Sequence, residues 1–331
     1  MMRPAHVPPT CHGSARPSRR KILLLAGLLA LGSTAAARAE DSVHKIGVTV
    51  GSLGNPFFIA AIRGITQQAK ALGPTAPVQS VSADYDIGKQ ASQVDSFIAA
   101  GNDLVMFNAV DYQAAAPLVR RLHDSGATVV AFDVGAPGAD ATITTNNVKA
   151  GEISCQYIVD RLHGHGDVVI VNGPPVTALS DRVKGCQSVF AKAPGIRLLS
   201  STLDAKGSRD GGLAVGQSVM VRFDKVDAIF AVNDPTALGV ELAARQAGRH
   251  DFFLASVDGS PDVEQEMRGG NTLIAATASQ DPFAIATTAT RIGFDIRAGR
   301  IKPGIVRLLA PSLITHDTIG GYKGWNAPHN S

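Results

Sequence analysis

The residues best suited to binding chemistry lie in segment 45–58, where the sequence reads KIGVTVGSLGNPFF. An apolar strand runs there into a glycine-rich turn that presents Asn55 and the adjacent rings of Phe57 and Phe58. An amide can exchange hydrogen bonds with hydroxyls while aromatic rings cover C–H surface, a combination that suits a sugar. The same residues also fit a structural role, because Asn55 and Pro56 are typical of a helix start and both phenylalanines could be core.

Polar residues follow the apolar runs throughout the chain. They are Asn55, Asp84, Asn108 and Asp133 in the first half, and Asn172, Asp204, Asn233 and Asp258 in the second half. Loops that leave the carboxyl ends of parallel strands converge on one crevice, so the two sets are expected to face each other across a cleft. Caps and turns favour the same residue types, and about half of the set is expected to serve in that way.

Short β-rich runs alternate with amphipathic segments of helical length, which predicts a doubly wound α/β protein. The predicted strands fall into two sets, at 45–50, 78–82, 104–107 and 128–132, and at 168–171, 197–203, 228–232, 253–257 and 273–276. Two such sets in about 280 residues exceed one hydrophobic core, so the chain is expected to form two lobes.

Each lobe is predicted to be discontinuous. The polar segment 141–147, ATITTNN, is expected to cross between the lobes as a hinge, with further crossings near Gln280 and Leu309. The predicted boundaries are 40–145 plus 281–309 for the N-terminal lobe, 146–280 plus 310–321 for the C-terminal lobe, and 322–331 for a flexible tail that holds Trp325.

The first 39 residues predict a secretory signal peptide. Three basic residues, Arg19, Arg20 and Lys21, precede the apolar run 22–31, and small residues end in an A-x-A site at Ala39. The apolar run is too short to span a bilayer, so cleavage near Ala39 and a periplasmic location are expected. The basic cluster also resembles a twin-arginine signal, which leaves the export route open.

Removal of the signal changes the charge of the chain. The signal holds six of the 31 Lys and Arg residues and no acidic residue. The remaining chain therefore has 25 basic and 28 acidic residues, so its net charge is −3 instead of +3. The mature chain has no Lys/Arg stripe of the kind that nucleic acid requires, so no nucleic-acid partner is expected.

Two cysteines, Cys155 and Cys186, remain after Cys11 leaves with the signal. Thiols in an oxidising compartment more often pair than stay free. A bridge here would close a loop of about 30 residues and stabilise the fold by roughly 3 kcal/mol. Two buried, unpaired cysteines are the alternative.

Enzyme signatures are missing from the sequence. It contains no phosphate-binding loop, dinucleotide-binding glycine pattern, zinc-protease helix or nucleophile elbow. His163 and His165 come nearest to a metal pair, but they are expected at a helix end with no third ligand in reach. The sequence therefore predicts a binding protein with no catalytic residues, no cofactor and no metal.

Six short motifs follow one another along nearly the whole mature chain. They are GSLGNPFF at Gly51, AFDV at Ala131, SDRVKG at Ser180, AVNDPTALG at Ala231, SVDGSPD at Ser256 and ATASQDP at Ala276. Their order and spacing resemble the periplasmic sugar-binding proteins of ABC importers, the ribose-binding type. The resemblance implies the type I periplasmic-binding-protein fold, in which two α/β lobes joined by three crossing strands close over one monosaccharide.

The resemblance also implies the ligand-binding residues. They are Asn55, Phe57, Phe58 and Asp133 in the first lobe, Arg182, Asn233 and Asp258 in the second, and Gln280 at the hinge. An Arg fork beside ionised Asp groups fits vicinal hydroxyls, because each hydroxyl both donates and accepts. Arg182 could instead be a surface residue of a helix.

Two positions depart from the family's pattern. Val134 stands where the family commonly has an Arg after the cleft Asp, and Gly207 stands where it places an aromatic ring. The ligand is therefore expected to differ from ribose, for example as a larger or reduced sugar. Further ligand-binding candidates, some of which would compensate for these changes, are Asp84, Tyr85, Asn108, Val134, Lys206 and Arg209.

The resemblance implies a monomer that binds a monosaccharide or polyol and docks on a membrane permease, whose separate ATPase supplies the energy. A sensor role is the alternative, in which the protein presents a sugar or a furanose signal to a chemoreceptor or sensor kinase. The same cleft would serve both roles, so only the docking partner distinguishes them.

Overall fold

Strands and helices alternate along residues 43–325, the part of the chain that this computed structural model describes. The strands are β1 (Ile46–Val50), β2 (Val78–Ser82), β3 (Leu104–Phe107), β4 (Thr128–Phe132), β5 (Ala141–Thr145), β6 (His165–Asn172), β7 (Gly195–Asp204), β8 (Ala228–Ala231), β9 (Phe253–Asp258), β10 (Ile274–Ser279), β11 (Ile305–Leu309) and β12 (Ser312–Thr315). The helices are α1 (Pro56–Leu72), α2 (Ile87–Ala99), α3 (Ala115–Asp124), α4 (Asn147–Arg161), α5 (Thr177–Phe190), α6 (Arg209–Arg222), α7 (Asp234–Gln246), α8 (Pro261–Gly269) and α9 (Pro282–Arg297). The predicted signal peptide lies outside the described residues.

The strands form two separate sheets, each of which organises one lobe. The first has the order β11-β5-β4-β3-β1-β2 and is parallel throughout. The second has the order β12-β10-β9-β8-β6-β7 and is parallel except for β12, which runs antiparallel to β10. The chain passes between the sheets after β5, between β10 and α9, and between β11 and β12. The predicted fold of two doubly wound lobes joined by three crossings is confirmed.

Central strands are apolar runs because helices cover both faces of a parallel sheet. Every residue of β1, β3 and β4 is buried, whereas the edge strands β2 and β11 are only partly buried. The sequence analysis correctly predicts the inner strands but misses β11 and β12. It also describes 141–147 as a polar crossing, whereas Ala141–Thr145 is strand β5 of the first sheet. Half-buried Thr142 and Thr144 alternate there with buried positions, and one of these, Thr145, is also polar, so a search for apolar runs does not find the strand.

Helices α4 and α5 pack unusually closely in the second lobe. A Cβ added to Gly151 would lie 2.0 Å from the carbonyl oxygen of Arg182, and a Cβ added to Gly185 would lie 2.0 Å from that of Val148. A disulfide between Cys155 and Cys186, with a Cα–Cα distance of 5.1 Å, joins the same two helices. Of the two sequence interpretations, the structure shows the paired one.

We expect the double substitution Cys155→Ala/Cys186→Ala to lower the free energy of unfolding by about 3 to 4 kcal/mol, because the unfolded chain regains the entropy of a loop closed across 31 positions. Urea denaturation of the protein without residues 1–39 measures this loss. Reduced wild-type protein should show the same loss as the double variant. Alkylation of both thiols in unreduced protein would contradict the prediction.

The C-terminal segment is packed rather than loose as far as the structure describes it. Trp325 is 3 % exposed, and its Nε1 donates a hydrogen bond to the carbonyl oxygen of Gln280 at 2.9 Å. Tyr322 donates its hydroxyl proton to the carbonyl oxygen of Gly259 at 2.7 Å. The predicted flexible tail is therefore wrong for residues 322–325, and residues 326–331 lie outside the described part. No helix within residues 43–325 has the length and apolar character needed to cross a membrane.

Candidate functional site

A cavity lies between the lobes at the carboxyl ends of the strands. Its volume is about 400 Å³, including the open space at its mouth. At its edge, the backbone N–H of Gly135 in the first lobe donates to Thr177 Oγ1 in the second lobe at 2.8 Å. The two lobes therefore contact each other beside a space for a small molecule.

Both lobes and one crossing segment line this cavity. The lining residues are Asn55, Phe57, Phe58, Tyr85, Asn108, Asp133 and Val134 from the first lobe, Val176, Ala178, Leu179, Arg182, Asn233 and Asp258 from the second, and Gln280 from the crossing. The structure thus brings together all eight residues that the family resemblance implies, and also the additional candidates Tyr85, Asn108 and Val134.

Helix α1 presents the aromatic wall of the cavity. Asn55 Oδ1 accepts the backbone N–H of Phe57 at 2.9 Å, which caps the helix and leaves the Asn55 Nδ2 group without a partner among the described residues. The rings of Phe57 and Phe58 pack edge to face with centroids 5.4 Å apart, and both are buried. The structural interpretation of this segment is confirmed, because these residues start a helix and join the core. The same residues also line the cavity, and their role in ligand binding stays a prediction.

The opposite wall is aliphatic, and the sequence analysis misses it. Val176, Ala178 and Leu179 line the cavity from the start of α5. Gly207 has a φ of +60°, and Leu179 Cδ1 lies 3.7 Å from the place where a Cβ of Gly207 would stand. An aliphatic side chain thus lies beside the position where the family pattern has a ring. The signal was the apolar run before SDRVKG, but apolar residues in an amphipathic helix are equally typical of core.

Arg182 supplies the guanidinium of the cavity. It is 2 % exposed, so the interpretation as a surface helix residue is wrong. Its Nε donates to Asn147 Oδ1 at 2.9 Å, and its Nη1 donates to the carbonyl oxygen of Val232 at 2.8 Å and to Asp258 Oδ1 at 3.1 Å. Its Nη2 forms no hydrogen bond with any residue that the structure describes, so these donors remain for a ligand. Asn147, a positioning residue that the sequence analysis misses, fixes the plane of the guanidinium.

Asp133 and Asp258 are the two carboxylates of the cavity. Asp133 Oδ2 accepts from Asn108 Nδ2 at 3.0 Å, whereas Asp258 Oδ1 accepts from Arg182 and from Gln280 Nε2, the latter at 2.7 Å. Their φ angles of 64° and 142° lie in a region that side chains rarely adopt, and such strain concentrates at functional sites.

Burial dominates the electrostatics of these carboxylates. It raises the pKa of Asp133 to about 6, although the charge of Arg182 opposes the shift. Burial also raises the pKa of Asp258 to about 6, again against Arg182. Beneath them, burial and then the charge of Asp258 raise the pKa of Asp234 to about 7. Burial and the nearby carboxylates raise the pKa of Tyr85, so its hydroxyl keeps its proton and can donate.

Several polar atoms around the cavity have no partner among residues 43–325. Gln280 is 6 % exposed, and its buried Oε1 accepts no hydrogen bond from that part of the chain. Such an orphan acceptor costs about 1 to 3 kcal/mol unless a ligand or water donates to it. Among the described residues, Asn55 Nδ2, Arg182 Nη2 and the Tyr85 hydroxyl are free to donate. The cavity therefore offers both donors and acceptors between apolar walls.

Other predicted residues serve different roles. Asp84 is exposed and forms an ion pair with Lys89, while Asn172 and Asp204 accept backbone N–H groups in turns. Lys206 and Arg209 line a second cavity of about 1230 Å³, including the open space at its mouth. Asn55 and Tyr85 are the two residues that line both cavities. The structure thus does not bring Asp84, Lys206 or Arg209 to the inner cavity. Asn233 lines it, but its side chain already caps α7 and donates to the Gly207 carbonyl oxygen.

Two α/β lobes with a small polar cavity between them, at the carboxyl ends of their strands, define a bilobal solute-binding protein. Residues 46–301 match the family described as periplasmic binding protein domain. The chain is 30 % identical over 272 residues to a ribose import binding protein of Bacillus subtilis, a match that covers 80 % of this chain and 86 % of that protein. It is also 30 % identical over 256 residues to a xylitol-binding protein of Mycolicibacterium smegmatis, which covers 74 % of this chain and 72 % of that protein.

A solved structure supports the same assignment. The myo-inositol binding protein of Caulobacter, solved with myo-inositol bound, is 26 % identical, has a TM-score of 0.76, and the match covers 84 % of this chain and 95 % of that one. This chain belongs to the periplasmic binding protein family, and its resemblance to the ribose-binding type is confirmed. Members of this family are carriers, so the expectation that the protein is not an enzyme is also confirmed.

Proposed function

We propose that this protein captures a monosaccharide or a related polyol in the cavity between its lobes and delivers it to the permease of an ABC importer. The observation that carries the proposal is the buried Oε1 of Gln280, which has no partner within residues 43–325, beside donors of Arg182 and Asn55 that are likewise unpaired in that range. Vicinal hydroxyls satisfy such a set, because each one donates to an acceptor and accepts from a donor.

Each wall of the cavity has a part in this proposal. Phe57 and Phe58 cover one face of the ligand, and Val176 and Leu179 cover the other. Asp133 and Gln280 accept from hydroxyls, while Arg182 donates to them with the charge-assisted bonds that are the stronger kind. Asn233 contributes mainly as a cap that holds the Gly207 loop.

The size and polarity of the cavity support a single small ligand. The narrow space between its walls fits one ring or a short polyol rather than an oligosaccharide. The named ligands of similar proteins, which are ribose, xylitol and myo-inositol, are of this size. Two features would make the protein prefer a ligand other than ribose. They are the aliphatic second wall and Val134, which stands where the family commonly has an Arg.

Hinge closure explains how such a protein works. A ligand that bridges the lobes stabilises the closed form, because some of its contacts exist only in that form. A permease then binds the surface that the closed form presents. We propose that the moving bodies are residues 40–145 with 281–309 and residues 146–280 with 310–321. We further propose that the protein is exported to the periplasm, is cleaved near Ala39 and works as a monomer, with a separate ATPase subunit that drives transport.

A thermal-shift screen tests this function. The protein without residues 1–39 is heated with D-ribose, D-allose, xylitol, myo-inositol and L-arabinose, and with maltose as a control too large for the cavity. A sugar present at 100 times its Kd should add about 2.7 kcal/mol to the free energy of unfolding. We expect at least one small sugar or polyol to raise the melting temperature while maltose does not. No shift with any carbohydrate would contradict the proposal.

A further inference from the structure

The last described residues, Tyr322–Trp325, connect the two lobes, and we call them the C-terminal strap. At one end the strap is fixed to the second lobe. The Tyr322 hydroxyl donates to the carbonyl oxygen of Gly259 at 2.7 Å, and Arg268 Nη2 donates to the carbonyl oxygen of Tyr322 at 2.9 Å. Gly259 directly follows Asp258, a carboxylate of the cavity.

At its other end the strap is fixed to the first lobe. Arg63 Nη2, on α1, donates to the carbonyl oxygen of Trp325 at 3.1 Å. The indole of Trp325 packs edge to face on Phe57 with centroids 5.8 Å apart, in the same hydrophobic core as β1 and α9. Phe57 forms part of the aromatic wall of the cavity, so Trp325 supports that wall from behind.

The indole also holds the crossing segment. Its Nε1 donates to the carbonyl oxygen of Gln280, while the Gln280 side chain donates to Asp258 and leaves the unpartnered Oε1. Trp325 thus contacts two cavity residues, one from the first lobe and one from the crossing. A general role in folding would not require contact with both.

The turn within the strap depends on one glycine. Gly324 has a φ of +66°, and a Cβ there would lie 2.3 Å from Glu264 Oε2 on α8. The strap therefore passes close to the second lobe before it reaches Trp325. Only two residues separate Tyr322 from Trp325, so the two anchor points of the strap cannot move far apart while both ends stay bound.

We propose that the C-terminal strap is a fourth, non-covalent link between the lobes, and that Trp325 is a positioning residue of the ligand site. It holds Phe57 and Gln280 in their binding geometry and favours the closed form. The part that concerns ligand rests on the proposed function. A protein that spends less time in the closed, binding-competent form has a weaker apparent affinity in proportion to the lost population.

Binding measurements test the positioning role. D-ribose, xylitol and myo-inositol are titrated into wild-type protein and into Trp325→Ala, Trp325→Phe and Phe294→Leu. Trp325→Ala loses one aromatic contact and one hydrogen bond. Its dissociation constant should therefore be about tenfold higher than that of wild type or more, mainly because the ligand dissociates faster. Trp325→Phe keeps a ring but loses the N–H donor, so it should fall between Trp325→Ala and wild type.

Phe294→Leu is the matched control, because Phe294 is a buried residue of the same core that does not line the cavity. It should lower the melting temperature without a change in affinity. If Trp325→Ala keeps the affinity and the dissociation rate of wild type, Trp325 is not a positioning residue of the ligand site. An equal loss of affinity in Phe294→Leu would also overturn it, because destabilisation alone would then explain the effect.

Two measurements without ligand test the strap itself. Trp325 is the only tryptophan of the chain, so its fluorescence reports the strap directly. We expect a blue-shifted emission that acrylamide quenches poorly, and a larger radius of gyration by X-ray scattering for Trp325→Ala than for wild type or Phe294→Leu. An emission maximum and a quenching constant like those of free tryptophan would contradict the proposal that the strap is packed between the lobes. If no probe sugar binds wild-type protein, the proposed function fails, while these two measurements still decide on the strap.

Discussion

Replacement of Arg182 by alanine is expected to abolish measurable sugar binding and to lower the free energy of unfolding by about 3 to 5 kcal/mol at pH 7.5. The side chain is buried and holds Asn147, the carbonyl oxygen of Val232 and Asp258 together. Its removal leaves the buried Asp258 carboxylate without its counter-ion and takes the Nη2 donor out of the cavity. Calorimetric titration and urea denaturation measure the two losses.

The pH dependence of this variant gives a sharper test. Arg182 opposes the burial that raises the pKa of Asp258, so its loss should raise that pKa further. Protonation of Asp258 at pH 5 then removes the unpaired buried charge. The loss of stability caused by Arg182→Ala should therefore become smaller as the pH falls from 7.5 to 5. Arg161→Ala, a change on the exposed face of the neighbouring helix α4, is the control and should keep the wild-type affinity. Wild-type affinity in Arg182→Ala would remove this residue from the site.

Replacement of Asp133 by asparagine is expected to have opposite effects on stability and binding. At pH 7.5 the variant should unfold with a free energy about 2 kcal/mol higher than wild type, yet bind sugar at least about tenfold more weakly. Asp133 is 7 % exposed, and among residues 43–325 its carboxylate has no cation within ion-pair distance and accepts a hydrogen bond only from Asn108. An amide can keep that bond without a buried charge, but it loses the charged acceptor for a hydroxyl.

The sign of the pH dependence follows from the raised pKa. Burial raises the pKa of Asp133 to about 6 in the folded protein, above its ordinary value of 3.8, so the folded state binds this proton more tightly than the unfolded state does. The resulting stabilisation is fully present below about pH 4 and is lost as the pH rises through 6. Asparagine does not titrate, so its advantage over wild type should be large at pH 7.5 and shrink toward pH 4.5.

Asp84→Asn is the matched control, because Asp84 is exposed and its hydrogen bond from Lys89 lowers its pKa. This substitution should not stabilise the protein at pH 7.5. A lower melting temperature of ligand-free Asp133→Asn at that pH would contradict the electrostatic argument. Unchanged affinity would show that Asp133 does not contact the sugar.

Local rules of the chain account for much of the fold. The inner strands were predictable because a parallel sheet covered on both faces needs continuous apolar runs such as LVMF at β3. The edge strands β11 and β12 were not, since half-exposed positions leave no continuous run. The polar residues after the strands were predictable as a set, but not their division into cavity-lining Asp133, turn-forming Asp204 and exposed Asp84.

Short segments of the sequence were enough to predict the class of fold, the two lobes and eight of the fourteen residues that line the cavity, because strand periodicity, turn chemistry and the order of the family motifs are properties of such segments. The folded chain was needed to learn which polar atoms within residues 43–325 lack a partner there, that Val176 and Leu179 form the second wall, and that Trp325 contacts both Phe57 and Gln280. Burial and hydrogen-bond satisfaction depend on atoms that come from distant parts of the chain. Trp325 lies 45 positions from the carbonyl group that its indole N–H contacts, and no local pattern records that distance.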